Sequence, residues 1–151
     1  MKKIIFTLIV TAELLFGGLK NTTINYAELD KIPASDLASA MANEMTKSMH
    51  LPLQIDYLTE LVSMISYNKM IMITKVVDIK HPDMKAVWRD KKDAFINVML
   101  KQDSNSICHN EVWHYMIYNR GIIPQFDYKD QESRILFRYT VEKEDCEKLS
   151  R

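Results

Sequence analysis

With 151 residues, 47% of them hydrophobic, the chain is long enough to bury one domain core and too apolar to be disordered. Twenty basic residues balance twenty acidic ones, and no run of Lys or Arg forms a phosphate-tracking stripe, which argues against direct nucleic-acid binding.

The chain opens on MKKIIFTLIVTAELLFGGLK, where Lys2 and Lys3 precede an apolar run from Ile4 to Phe16. That is the layout of a bacterial export signal, and residues 1–20 are expected to be a signal peptide or an uncleaved membrane anchor. If uncut, residues 4–19 would sit in the inner membrane with the body outside, although Glu13 within the apolar run opposes a span. No cysteine follows the run, so no lipoprotein anchor is expected. Residues 21–33 read as a polar tether and 34–151 as a periplasmic domain.

From Pro33 onward, Asp36 is expected to cap a helix whose Leu37, Met41, Met45 and Met49 recur every four residues on one face. Pro52 ends it, because the residue before a proline is pushed out of the α region. The β-branched and aromatic residues of LQIDYLTELVSMISYNKMIMITKVVDI predict a hairpin turning at Asn68. In its second arm Ile71, Ile73, Val77 and Ile79 share one parity and Met70, Met72, Thr74, Val76 and Asp78 the other. Neither parity is strongly polar, which suits a central strand covered on both sides or one used for pairing.

Helical spacing returns with Met84, Val87, Trp88, Lys91, Phe95, Val98 and Met99 on one stripe. QDSNS, residues 102–106, is expected to break that helix and cap the next, which runs to Asn119 and Arg120 and stops at Gly121. Ile122–Tyr128 and Arg134–Val141 predict a second hairpin around KDQES. The resulting fold class is α+β: helix, β-hairpin, two helices, β-hairpin, an antiparallel sheet backed by helices, with one disulfide.

The exported body has two cysteines, Cys108 and Cys146, and an oxidising compartment favours pairing them. Two other readings of the same region are open. Cys108 could be a nucleophile with His109 or His114 as base, but adjacent helix residues point about 100° apart and no glycine-rich turn offers an oxyanion hole. A metal site from Cys108, His109, Glu111 and His114 has only Glu111 and His114 at a shared-face spacing. No catalytic, cofactor-binding or metal-binding residue is therefore assigned, and no cofactor. His50, His81, His109 and His114 are candidates for pH sensing, set against simple solvation. Asp56 with Glu60, or Glu142 with Glu144 and Asp145, offers paired carboxylates but nothing that fixes a pocket around them.

The ordered set of a lysine-led apolar leader, LPLQIDYLTEL with Leu51, Pro52, Ile55, Asp56 and Thr59, Cys108 in a helix ending at Gly121, and FDYKDQESRILFRY closing on Cys146 resembles a group of small exported bacterial proteins. In size and organisation it is most similar to the PsaF/MyfF type known from Yersinia. That resemblance implies a non-enzymatic, inner-membrane-anchored periplasmic protein. Such a protein binds and stabilises the periplasmic domain of a membrane-bound, ToxR-like activator and promotes fimbrial expression and virulence. The alternative is a periplasmic chaperone or pilotin-like assembly factor of a pilus or secretion system.

Overall fold

A computed structural model describes residues 25–149; the expected signal peptide or anchor lies outside the described residues. A one-turn helix, α1 (Tyr26–Leu29), precedes α2 (Ala34–Ser48), a short β1 (Leu53–Gln54), and the hairpin β2 (Thr59–Tyr67) and β3 (Met70–Val77). Three helices follow, α3 (Pro82–Asp90), α4 (Lys92–Cys108) and α5 (Glu111–Arg120). The chain then forms the hairpin β4 (Ile123–Lys129) and β5 (Ile135–Thr140), and closes with α6 (Lys143–Leu149).

The α+β architecture with two hairpins and a disulfide is as expected, and the sheet has five strands in the order β1-β2-β3-β4-β5. It is antiparallel except where β3 meets β4, which run parallel with Ile73 opposite Phe126 and Lys75 opposite Tyr128. Parallel neighbours need a long crossover, and α3, α4 and α5 supply it.

The methionine stripe behaves as its spacing predicts: Leu37, Met41, Met45 and Met49 are all buried. Helix α2 starts earlier than expected, with Pro33 at the N-cap and Asp36 inside the first turn, where its charge faces the positive end of the helix dipole. The Thr46 hydroxyl reaches Ala42 O at 2.8 Å and Met64 O at 3.0 Å, tying α2 to β2. His50 follows in the left-handed region at φ 51, so the helix cannot continue. Asn68, at φ 53, turns the first hairpin.

The expected helix break needs correction. The stretch from Gln102 to Ser106 does not break a helix; α4 runs through it, and the break falls earlier, at Lys91 with φ −136 and ψ 29. Asp103 and Ser104 are buried there, and Asp103 bonds to side chains of the sheet instead of capping a helix. The cap of α5 is Asn110, whose side chain accepts from the N–H groups of Val112 and Trp113, both at 3.1 Å. Gly121, at φ 61, stops α5 as expected.

Within the stretch read as a tether, Tyr26 and Ile32 are half-buried. Leu29 is buried, and Arg120 donates to the carbonyls of Leu29 and Ile32. Tyr115 donates to Asp30 Oδ1 at 2.5 Å and its ring lies 4.5 Å from that of Tyr26. These groups hold the N-terminal part of the described chain to α5.

Strand pairing sorts the side chains by face. Leu61, Ile73, Lys75, Phe126, Tyr128, Phe137 and Tyr139 share the front face, and the buried side chains of the helices complete one core with it. The opposite face bears Ile65 and Tyr67, which are 54% and 69% exposed, with Met70 and Met72 half-buried. β3 is thus paired on both edges, with its front turned to the helices.

Candidate functional site

The front face does not close completely against α4. A cleft of about 450 Å³ lies between them, its floor formed by Ile55, Leu61, Ile73, Met99, Ile107 and Phe126. Asp56, Gln102, Asn105 and Ser106 carry its polar lining on exposed residues. Ile55, Asp56 and Thr59 bring to it the LPLQIDYLTEL segment on which the family resemblance rests.

One buried polar cluster forms part of the cleft wall. Lys75 Nζ donates to Asp103 Oδ1 at 2.6 Å and to the Tyr128 hydroxyl at 3.1 Å, between the Phe126 and Tyr128 rings at 5.1 and 5.2 Å. Asp103 Oδ2 in turn accepts from Tyr128 at 2.8 Å and Tyr139 at 2.6 Å. A lone ammonium in a strand needs such compensation, because an unpaired charge in an apolar interior is strongly unfavourable. Burial first, then the Asp103 charge, pushes the Tyr128 hydroxyl far above the usual phenol range. Burial, then Tyr128 and Asp103, does the same for Tyr139. Both phenols therefore stay protonated and act as fixed donors.

None of these four residues was singled out from the sequence. One signal was present: Lys75 shares a parity with Ile71, Ile73 and Val77, and a charge on a buried face implies a partner elsewhere in the chain. The partner could not be read because Asp103 lies inside the stretch taken for a helix break.

The disulfide joins Cys108 and Cys146, with Cα atoms 5.2 Å apart. Cys108 is the last residue of α4, whereas the sequence placed it at the start of the following helix. The bridge ties the C-terminal turn of α4, which supplies Ser106 and Ile107 to the cleft, to α6. A loop of this separation, 38 residues, gives a loop-closure stabilisation of about 3–4 kcal/mol in the chain-entropy model. The Cys108 sulfur is thereby engaged and is not a free nucleophile.

None of the four histidines is among the residues that line the cleft. His50 is exposed, with Nδ1 3.1 Å from Ser48 O. His81 caps α3, its Nδ1 accepting from Asp83 N–H at 3.3 Å, and its ring meets Tyr57 edge-on at 5.7 Å. His109 sits at the C-cap of α4 with Nδ1 2.9 Å from Asn105 O. His114 stacks on Tyr118 at 4.1 Å. Among the described residues no group of three His, Cys, Asp or Glu side chains is placed to hold a metal ion. No described helix is long and apolar enough to cross a membrane.

No family model matches the chain, and no curated protein matches it in sequence. Solved structures do resemble it. The type II secretion pilotin EpsS from Vibrio vulnificus has a TM-score of 0.59 at 11% identity, over 81% of this chain and 97% of that one. The type II secretion pilotin AspS from Vibrio cholerae has a TM-score of 0.56 at 17% identity, over 80% of this chain and 98% of that one. A Pseudomonas aeruginosa protein assigned provisionally to the secreted class has a TM-score of 0.56 at 13% identity, over 83% and 99%. At these identities the similarity is one of fold; the disulfide by itself fits an oxidising compartment.

Proposed function

We propose that the chain is a non-enzymatic periplasmic accessory protein, a pilotin-like factor whose cleft takes up a segment of a secretion or pilus assembly component. The observation that carries this reading is the open cleft of about 450 Å³, with its apolar floor and polar rim. Its shape is that of a groove for an apolar peptide face. Its charged cluster is bonded internally, which suits a binding wall better than a reaction centre: Lys75, Tyr128 and Tyr139 all converge on Asp103. The fold it shares with EpsS and AspS, which are pilotins, supports the same reading.

A second reading rests on the PsaF/MyfF-type framework, in which the partner is the periplasmic domain of a membrane-bound activator of fimbrial genes. Ile55, Asp56 and Thr59 of that framework line the same cleft, so the two readings share a site and differ in its occupant. Deleting the gene separates them. The pilotin-like reading expects normal transcripts of the assembly genes with a mislocalised or unassembled outer-membrane component. A loss of transcripts together with a fall in activator abundance favours the second reading and counts against the first.

A further inference from the structure

The cleft is charged as well as apolar, and its charges are not equivalent. Lys75 and Asp103 face each other, and both oxygens of Asp103 are occupied. Asp56 is different. It lies on an exposed loop fixed by its own hydrogen bonds: Gln54 Nε2 donates to the carbonyls of Asp56 and Thr59, and Ile55 N–H donates to Thr59 O at 2.9 Å. Asp56 Oδ1 accepts from Leu58 N–H at 2.8 Å, while Oδ2 has no partner among the described residues. The cleft lining thus holds two carboxylates, Asp56 and Asp103, against one ammonium, Lys75, and the uncompensated charge is at Asp56. The other exposed polar residues of the lining, Gln102, Asn105 and Ser106, are neutral.

We infer that the segment bound in this cleft is amphipathic and basic: apolar side chains fill the floor, and a lysine or arginine of the partner pairs with Asp56. This rests on the cleft being the partner site proposed above. An acidic residue in the same place would meet the uncompensated carboxylate of Asp56, so that charge selects among apolar segments that the floor alone would accept. The pair is solvent-facing and sensitive to salt.

The test selects short random peptides displayed on phage against the full-chain protein, against Asp56→Asn, and against Ser106→Trp. Asn at 56 keeps the acceptor for Leu58 N–H, and Trp at exposed position 106 fills the cleft from α4. The expected result is a set of peptides combining Leu, Ile or Phe with Lys or Arg, lost on Ser106→Trp. In a synthesised member, replacing that basic residue by Gln should weaken binding about three- to fivefold at low salt on the wild type and leave binding to Asp56→Asn unchanged. Apolar peptides that need the cleft but show no basic preference would overturn this inference and leave the partner-cleft reading standing. Enrichment of acidic peptides would overturn it as well. The absence of any peptide sensitive to Ser106→Trp would overturn both readings. Self-association of the protein abolished by Ser106→Trp would place a second copy in the cleft and also overturn the inference.

Discussion

The Lys75 ammonium lies 2.6 Å from Asp103 Oδ1, with only 14% and 11% of the two side chains exposed. Asp103 is the centre of this cluster, since it accepts from Lys75, Tyr128 and Tyr139, whereas Lys75 is one of its three donors. Removing the two partners should therefore have unequal effects. Asp103→Leu leaves a buried ammonium and two phenols without their acceptor, and should cost about 3–5 kcal/mol in urea unfolding. Lys75→Met leaves Asp103 with two hydroxyl donors and should cost less, about 2 kcal/mol. The double variant should be more stable than Asp103→Leu alone, because the stranded charge is gone. Additive losses would show that the pair is not coupled.

Arg120 should govern the order of the segment ahead of α2. Its side chain is 10% exposed and donates to the carbonyls of Leu29 and Ile32, with Asp30 Oδ1 3.7 Å from Nη1. Replacing it by Met leaves those carbonyls without their donor, at a cost of about 2–3 kcal/mol. Amide hydrogen exchange at Asp30 and Ile32 should accelerate well before that of the β3 amides. Uniform acceleration across the sheet would mean that the segment opens only with the whole fold.

Asp130 should make the second hairpin sensitive to acid. It is buried in the turn, where it accepts from the N–H groups of Glu132 at 3.0 Å and Arg134 at 2.9 Å and from Arg134 Nε at 2.6 Å. Burial pushes its carboxyl up, but the Arg134 backbone N–H and guanidinium and the Glu132 N–H outweigh it and hold the value below the usual carboxylate range. A depressed folded-state value stabilises the fold above the unfolded value, about pH 4, and that contribution is lost as pH falls through the folded value. Between pH 5 and pH 3 the urea midpoint of Asp130→Asn should consequently fall less steeply than that of the wild type. Equal slopes would remove Asp130 from the acid response.

Local signals in the sequence carried the elements, while the site depended on contacts between distant residues. The spacing of Leu37, Met41, Met45 and Met49, the turn at Asn68 and the stop at Gly121 each follow from side-chain periodicity or a backbone conformation and were legible. The cysteine pair was legible from compartment chemistry. The break at Lys91 was not, since neither glycine nor proline marks it, and the polar stretch from Gln102 to Ser106 looked like a stronger one. The parallel contact of β3 with β4 is set by the three-helix crossover, which no short-range pattern encodes. The cleft suffered most: Asp56 was recognised as a carboxylate without a pocket, and its pocket exists only because the corrected course of α4 sets Asn105 and Ser106 in the same lining.

On the pilotin-like reading proposed above, the cleft between α4 and the sheet holds a segment of a secretion or pilus assembly component. A photo-crosslinking amino acid at Ser106 of the full-length protein, activated in living cells, tests it most directly, because this exposed residue lines the cleft without joining the buried cluster. The expected product is an adduct with an envelope assembly component, lost when Leu61→Trp blocks the floor and absent from a crosslinker at Tyr67 on the opposite face. An adduct with a membrane-bound activator in its place, or equal yields from positions 106 and 67, would contradict it.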